Sequence, residues 1–305
     1  MSKKTMIYVL SACAFGLAAG HFAHASEFYT PMQPGGSTGA PAGALPPPGL
    51  YANLDSYFMS GPIEGGNGKD IGVKLYGSNL TASLLYVPGW SVLNASYATR
   101  LLVPFNLNVL KTPGGTFTSY GMFNTIFSPE MLSWNLGGGN FIGEGLTVYL
   151  PNGNYRHNGE VTSLETVSND YWTFEPNLAY SYLGGGWDIT LNNTVDFNTT
   201  NHTTHYHTGD IYYLDYTFAH SYGRYTFGLI GNYVQQFTND EQHGVEVPAA
   251  MGASAGDRFM HASIGPLFAY NLGKATITLR YLYGFAGRNG GNPSFAHIGV
   301  SFPIF

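Results

Sequence analysis

Three features of the sequence predict an all-β protein, and specifically a transmembrane, antiparallel, up-and-down β-barrel of about 12 strands. Apolar and polar residues alternate over many short segments, the connections between these segments alternate between short and long, and only 10% of the residues are charged. Ordinary soluble domains have about 25% charged residues, so this chain has few charges with which to cover a soluble surface. Beyond the N-terminus, no apolar run approaches the roughly 18–20 residues of a membrane-spanning helix.

Residues 1–25 have the pattern of a secretory signal peptide. Lys3 and Lys4 precede an apolar stretch, and Ala-His-Ala at 23–25 supplies a small-residue cleavage site before Ser26. A lipoprotein box ending at Cys13 is the alternative that stays open. Cleavage before Ser26 removes the single cysteine, so the mature chain has no disulfide. It also removes Lys3 and Lys4, so the mature chain is more negative than the full chain, whose net charge is −6. This charge argues against a nucleic-acid partner.

Residues 26–48 form a separate region that is rich in proline and glycine. The region has too little apolar content to pack into a core, and its prolines lack the N–H group that a strand ladder needs. It is therefore a tail, a linker or a plug of the barrel that we expect over residues 49–305.

From residue 49 onward, turn residues separate twelve predicted strands. The fourth is interrupted by Pro129. The connections after even-numbered strands are short and contain glycine, whereas most of those after odd-numbered strands are longer. Such alternation predicts periplasmic turns at one end of a barrel and external loops at the other. The strands are predicted over residues 49–60, 71–87, 90–109, 117–134, 141–150, 171–183, 187–198, 210–220, 224–237, 258–270, 275–286 and 294–305.

The segment WDITLNNTVDF, residues 187–197, shows the alternation clearly. Successive side chains of a strand point to opposite faces, so one face of this strand is oily and the other is wet. The same reasoning applied to the other strands predicts lipid-facing side chains at Trp187, Ile189, Leu191, Phe197, Phe227, Leu229, Ile277 and Leu279. It predicts side chains in the lumen, as constriction candidates, at Glu175, Asp188, Asn192, Asp196, Asp215, Arg224, His261, Arg280 and His297.

A soluble β-sandwich would produce the same alternation. The membrane barrel is favoured because the polar faces contain Asn, Thr and Gly with few lysines, and because tyrosine and tryptophan recur at strand ends, as in an interfacial girdle. The chain ends on Phe305, which is typical of barrels presented to the outer-membrane assembly machinery, although Pro303 blurs the alternation there. We therefore expect membrane lipid, lipopolysaccharide and the barrel assembly machinery as partners.

Four motifs resemble a known family of bacterial outer-membrane proteins, the proteins associated with the meta pathway of phenol degradation. The motifs are NDYWTFEPNLAYSYL, the adjoining GGGWDITLNNTVDFNTTN, GALPPPGLY before the first strand, and VYLPNGNY before a long loop. The resemblance covers essentially the whole mature chain. It implies an outer-membrane barrel connected with the uptake of aromatic or other hydrophobic compounds, and it offers no catalytic residues. The chain departs from this pattern in NHTTHYHTGD, where three histidines stand.

Two groups of residues are weak candidates for chemistry. His202, His205 and His207 lie in a predicted external loop and could ligate zinc or copper, but polar loops often contain histidine, so no metal or other cofactor is expected. His261 and Ser263 share a strand face, as the base and nucleophile of a hydrolase would. Their register turns them to the lumen rather than to lipid, so we expect no catalytic residue.

The resulting prediction is a channel for passive uptake of a small hydrophobic or aromatic solute. One alternative is a barrel that does not transport and serves as a structural or surface-interaction protein. The other is an outer-membrane hydrolase. Loss of lipase activity in Ser263→Ala would indicate the hydrolase, and unaltered liposome permeability together with a bound external partner would indicate the structural barrel.

Overall fold

The computed structural model describes Glu27, residues 30–247 and residues 258–305. This part of the chain is built from β-strands, turns and loops. Its residues include no helix that is long and apolar enough to cross a membrane. The predicted signal peptide and the lipoprotein box at Cys13 lie outside the described residues, as does part of the loop predicted over residues 238–257.

Twelve strands form one closed antiparallel barrel. Each strand pairs with the next in sequence, and the last pairs with the first in the register Asp55↔Gly299, which closes the sheet. Closure leaves no unpaired strand edge, which hydrocarbon would not tolerate. The predicted fold class is confirmed. The strands are β1 (Gly49–Glu64), β2 (Asp70–Val87), β3 (Ala95–Thr112), β4 (Thr125–Gly137), β5 (Asn140–Leu150), β6 (Thr173–Gly184), β7 (Trp187–Asn198), β8 (Ile211–Tyr222), β9 (Tyr225–Gln236), β10 (Met260–Asn271), β11 (Thr276–Arg288) and β12 (Ser294–Pro303).

The single strand predicted over residues 117–134 is wrong. An additional strand, Gly115–Met122, pairs with β3, and β4 starts only at Thr125. Pro129 stays within β4, at a shift in register between Phe127 and Glu130. A bulge tolerates proline because it leaves one residue out of the ladder, so the missing N–H is not needed.

Several two-residue strands lie at the ends of the barrel. Ser91–Val92 forms a small hairpin with the start of β3, so Trp90 lies outside the strand that was predicted to begin there. The others are His157–Asn158, Val161–Thr162, Tyr206–His207, Glu241–Gln242, Val245–Glu246 and Gly290–Gly291.

The turns at one end are much shorter than the loops at the other. β6 and β7 are joined by Gly185 and Gly186 alone, and both have positive φ angles, 59° and 85°. Glycine adopts this left-handed conformation without the steric penalty of a side chain, which permits a two-residue hairpin turn. The ends of β5 and β6 at the opposite side are separated by residues 151–172. Turns and loops therefore segregate to the two ends of the barrel, as the sequence predicted.

The two faces of the wall differ in character. Large apolar side chains on the outside are exposed, among them Leu54, Phe58, Leu80, Phe105 and Phe285. The inside is mostly polar, but it also contains an apolar cluster on β8–β12 with Tyr57 and Met59 of β1 packed against it. The cluster consists of Ala219, Ile230, Leu267, Leu282 and Phe295.

Candidate functional site

Residues 30–48, called here the inner segment, contact side chains on the interior face of several strands. The Gly43 N–H donates to Ser181 Oγ of β6 at 2.9 Å, and Ser133 Oγ of β4 donates to the Gly43 carbonyl at 2.8 Å. The Gly39 N–H donates to Thr217 Oγ1 of β8 at 2.7 Å. All three side chains are buried. Contacts with β4, β6 and β8 from one short stretch place the inner segment inside the barrel.

Asp215 of β8 is the main acceptor for the inner segment. Its Oδ2 accepts a hydrogen bond from the Ser37 N–H at 2.8 Å and another from Ser37 Oγ at 2.7 Å. The amide of Asn192 on β7 also donates to Ser37 Oγ, at 3.0 Å. Since hydrogen bonds to a charged group contribute about 1.5–3 kcal/mol each, Asp215 is a strong anchor for this turn of the segment.

Arg280 of β11 ties the next residue of the inner segment to the wall. Its Nη1 donates to the Thr38 carbonyl at 2.7 Å, and its Nη2 forms an ion pair with Asp55 Oδ2 at 2.6 Å. His297 Nδ1 lies 3.4 Å from Asp55 Oδ1 and 3.3 Å from Arg280 Nη2. Arg280 thus bridges β1, β12 and the inner segment, and the pairing satisfies charges that would be costly to bury alone.

A second polar cluster lies nearer the loop end of the barrel. Tyr149 Oη donates to Glu175 Oε2 at 2.8 Å, and Tyr213 Oη donates to Asp196 Oδ2 at 2.8 Å. The guanidinium of Arg100 interacts electrostatically with Glu175. All five groups come from inward positions of neighbouring strands, so this part of the lumen is lined by hydrogen-bonded acids and phenols.

The structure brings most of the expected lumen residues to the interior. Glu175, Asn192, Asp196, Asp215, His261, Arg280 and His297 are buried there, and Asp188 is partly buried beside Thr190, which donates to its Oδ1 at 2.6 Å. Arg224 requires a correction. It lies in the exposed turn between β8 and β9, because β8 ends at Tyr222 and β9 starts only at Tyr225.

The expected lipid-facing residues lie on the outer face of the wall. Trp187, Leu191, Phe197, Phe227, Leu229 and Leu279 are exposed, and Ile189 and Ile277 are half-buried among their neighbours. Sequence reasoning missed several interior residues, among them Asp55, Arg100, Tyr149 and Tyr213. Asp55 stands next to the outward Leu54 in an alternating strand, so the signal that found the other acids was present there too.

The loop histidines do not converge on one point. His202 Nε2 lies 3.6 Å from Asp170 Oδ2, whereas the ring of His205 packs against His243 with centroids 4.8 Å apart. His207 belongs to a two-residue strand with Tyr206. Within the described ranges, no three His, Cys, Asp or Glu side chains are grouped so that they could hold a metal ion.

Glu27 lies among the external loops, at the far end of the inner segment. Its N–H donates to Thr208 Oγ1, and its carboxylate accepts from Thr162 at 2.6 Å and from Asn201 at 2.8 Å. Tyr155 and Thr204 donate to the same carboxylate. Burial raises the pKa of Glu27 above its ordinary value, because these neutral donors offset only part of the lost solvation. Burial also raises the pKa of Tyr155 to about 12.

The inner segment therefore runs from the loop end of the barrel to the turn end. It starts near Glu27, passes Asp215 and Arg280, and reaches Gly49, where β1 begins. At this last point Tyr51 Oη donates to the Pro47 carbonyl at 2.7 Å. The chain thus traverses the lumen before it enters the wall.

Comparison with known proteins identifies the fold and the family. The structure resembles an outer membrane channel from Pseudomonas putida F1 with a TM-score of 0.72 and 13% identity, over 86% of this chain and 97% of that one. It resembles the β domain of the Bordetella autotransporter BrkA with a TM-score of 0.51 and 17% identity, over 84% and 99% of the two chains. At these identities the likeness shows a shared outer-membrane barrel fold.

Sequence comparison is more specific than the structural likeness. No curated protein sequence matches the chain significantly. The family model described as the putative MetA-pathway of phenol degradation matches residues 61–295, which extend from the end of β1 into β12. Together with the barrel, this match shows that the chain is an outer-membrane protein that belongs to the family of the putative MetA pathway of phenol degradation.

Proposed function

We propose that the protein is a passive channel of the bacterial outer membrane for small hydrophobic or aromatic compounds. Three observations support this proposal: the family is associated with phenol degradation, the solved structure from Pseudomonas putida F1 with the same fold is a channel, and the lumen combines polar groups with buried aromatic rings. A lumen of 12 strands is narrower than that of the 16–18-stranded porins. Such a lumen favours small solutes.

The observation that carries the proposal is the way in which the inner segment is held. Its contacts are hydrogen bonds to side chains such as Asp215, Arg280 and Ser181, whereas the strands themselves are held by continuous backbone ladders. Such side-chain bonds contribute about 0.5–3 kcal/mol each, and breaking them leaves every strand ladder intact. Release of the segment therefore does not require the barrel to open, and we propose that the segment is a removable plug.

A barrel without transport is the second candidate function. The observation that favours it is the depth of filling, since the inner segment contacts side chains of the wall from Asp215 to Tyr51 near the turn end. In that case the segment would stay in place and the external loops would carry the function. The two candidates differ in one measurable property, the response of conductance to immobilising the segment.

An enzyme receives less support. His261 and Ser263 are both buried, and no hydrogen bond joins the ring of His261 to Ser263 Oγ. A nucleophile and its base are expected within hydrogen-bond reach of one another. We therefore propose no catalytic role for this pair.

A disulfide that locks the plug tests the channel proposal. Ser37 Oγ and Asp215 Oδ2 are 2.7 Å apart, so the two side chains face each other. We expect Ser37→Cys with Asp215→Cys to form a disulfide on oxidation, which thiol titration checks. Single-channel currents would be recorded in planar bilayers for the oxidised and the reduced double variant, with each single cysteine variant as a control. We expect conductance only after reduction. Equal currents in both states of a fully cross-linked protein would contradict the plug and favour the barrel without transport.

A further inference from the structure

One part of the interior wall carries buried polar atoms that have no partner. The side chains belong to Asn232, His261, Ser263 and Asn292, called here the polar set. Both amide atoms of Asn232 and Ser263 Oγ make no hydrogen bond within the described part of the chain. The ring of His261 has the side chain of Asn292 as its polar neighbour. Since it is costly to leave a buried polar group unpaired, this concentration of such groups points to a place where a polar partner binds.

Strand register brings the polar set together. Asn232 of β9 lies directly opposite Ser263 of β10. On the other side of β10, Ser263 faces Gly284 of β11, and a β-carbon at that glycine would lie 2.6 Å from Asn292 Oδ1. The absence of a side chain at Gly284 lets Asn292 approach β11 closely, beside Ser263. His261 shares the inward face of β10 with Ser263, so the four side chains are neighbours on the interior wall.

An aromatic and apolar surface adjoins the polar set. The ring of Phe295 meets the ring of His261 edge to face, with centroids 6.1 Å apart, and also contacts Tyr57 at 5.8 Å. Leu282 pairs with Phe295 across β11 and β12, and both are fully buried. Water would satisfy the polar atoms but would gain nothing from the ring of Phe295. A molecule with an aromatic ring and a hydroxyl group complements both surfaces.

The inner segment covers the same surface. A β-carbon at Gly35 would lie 2.5 Å from Leu282 Cδ1 and 2.8 Å from Asn232 Nδ2, and Gly35 has a φ of 77°. Only glycine can approach the wall this closely in that conformation. A ligand that contacts Leu282 and Asn232 must therefore take the place of the turn at Gly35.

From this arrangement we infer that the polar set and Phe295 form a binding site for hydroxylated aromatic compounds, and that such a ligand displaces the Gly35 turn from the wall. The site distinguishes phenols from hydrocarbons of the same shape, because only the hydroxyl group can pair with the polar set. This inference rests on the proposed function in one respect, the access of aromatic solutes to the lumen.

Fluorine NMR titration of the full-length protein in detergent tests the site. The probes are 4-fluorophenol and fluorobenzene, and fluorobenzene reports partition into the micelle and the apolar surface alone. We expect tighter binding of 4-fluorophenol, and a weakening of about twofold to tenfold in each of Ser263→Ala and Asn232→Leu, which corresponds to one lost hydrogen bond. Fluorobenzene binding should not change. Asn193→Leu is the matched control, because Asn193 lies on β7, away from the site, where it accepts a hydrogen bond from Tyr212 and donates one to the Leu178 carbonyl.

Displacement of the turn has its own readout. In Ser37→Cys, 4-fluorophenol should accelerate labelling by a soluble thiol reagent, whereas fluorobenzene should not. Equal affinity for both probes, or 4-fluorophenol binding that is unchanged in both Ser263→Ala and Asn232→Leu, would overturn the site. An unchanged labelling rate would overturn the displacement. Circular dichroism and the heat-dependent migration of the folded barrel on gels show that each variant has folded.

Failure of this inference and failure of the channel proposal are separable. If the double-cysteine variant conducts after reduction but the wild type binds both probes equally, the protein is a channel without this site. A protein that binds 4-fluorophenol through Ser263 and Asn232 but never conducts has the site without being a channel.

Discussion

Replacement of Asp215 by alanine is expected to release the inner segment. Asp215 Oδ2 accepts the backbone N–H and the hydroxyl group of Ser37, at 2.8 Å and 2.7 Å, and Asp215 is 2% exposed. Alanine removes both hydrogen bonds and leaves the Ser37 N–H without its acceptor. Asn192 still donates to Ser37 Oγ, so Ser37 keeps one of its three bonds to the wall.

The size of the effect follows from these bonds. Two hydrogen bonds to a charged acceptor contribute about 3–6 kcal/mol together. The lower figure corresponds to a rise of roughly 100-fold in the equilibrium constant between released and seated segment. Asp215→Asn keeps an acceptor and loses only the charge, so we expect a smaller loss of about 2 kcal/mol.

Single-channel recording measures this equilibrium as the open fraction of the full-length protein. The control is Asn79→Ala, because Asn79 is a buried interior residue whose hydrogen bonds go to Asn106 and Thr81 of the wall. We expect the open fraction to be highest in Asp215→Ala, lower in Asp215→Asn, and lowest in Asn79→Ala and the wild type, which should be equal. An open fraction in Asp215→Ala that matches the control would refute the role of Asp215 in holding the segment.

Three further predictions concern the buried ion pair, the pH response and the lipid-facing wall. Arg280→Met should lower the free energy of unfolding by about 3–5 kcal/mol, because it leaves the Asp55 carboxylate with only His297 beside it. Asp55→Leu in the same chain should restore part of that free energy in denaturant titrations. Burial raises the pKa of Glu27 above its ordinary value, so the protein binds more protons when the segment is seated than when it is released. Seating therefore weakens, and the open fraction rises, as the pH increases from the ordinary pKa of Glu27 through the raised one. A pH profile of the open fraction that is the same in Glu27→Gln would exclude this residue. Leu229→Arg, in the middle of β9, should cost about 2–4 kcal/mol in lipid vesicles, against about 0–1 for Tyr225→Arg at the strand end, and equal costs would contradict a lipid-facing β9.

Much of the wall can be predicted from sequence because the alternation of a strand is local. Which of Leu229 and Ile230 faces outward depends only on their neighbours two positions away, and Leu229 is exposed whereas Ile230 is buried, as that alternation predicts. Strand ends are less determined by local pattern. Arg224 continues the alternation of β9 in sequence, yet it lies in the turn, because Gly223 and Arg224 join Tyr222 at the end of β8 to Tyr225 at the start of β9.

The interior contacts depend on residues that are far apart in the chain. The bond from Ser37 to Asp215 joins residues 178 positions apart, and that from Arg280 to Thr38 joins residues 242 positions apart. No periodic pattern relates such positions, so the sequence left residues 26–48 open as a tail, a linker or a plug. Asp55 was overlooked for a related reason, since its importance comes from Arg280 and His297 on other strands.

The sequence alone determined an oily belt, a wet interior and a strand count of twelve, because side chains that alternate every second residue sort themselves within each strand. Only closure of the barrel decided what the wet interior contains. Once β12 pairs with β1, inward side chains from opposite walls contact the inner segment, and their hydrogen bonds fix its path. The local sequence does not determine these bonds, because they join residues that are far apart in the chain.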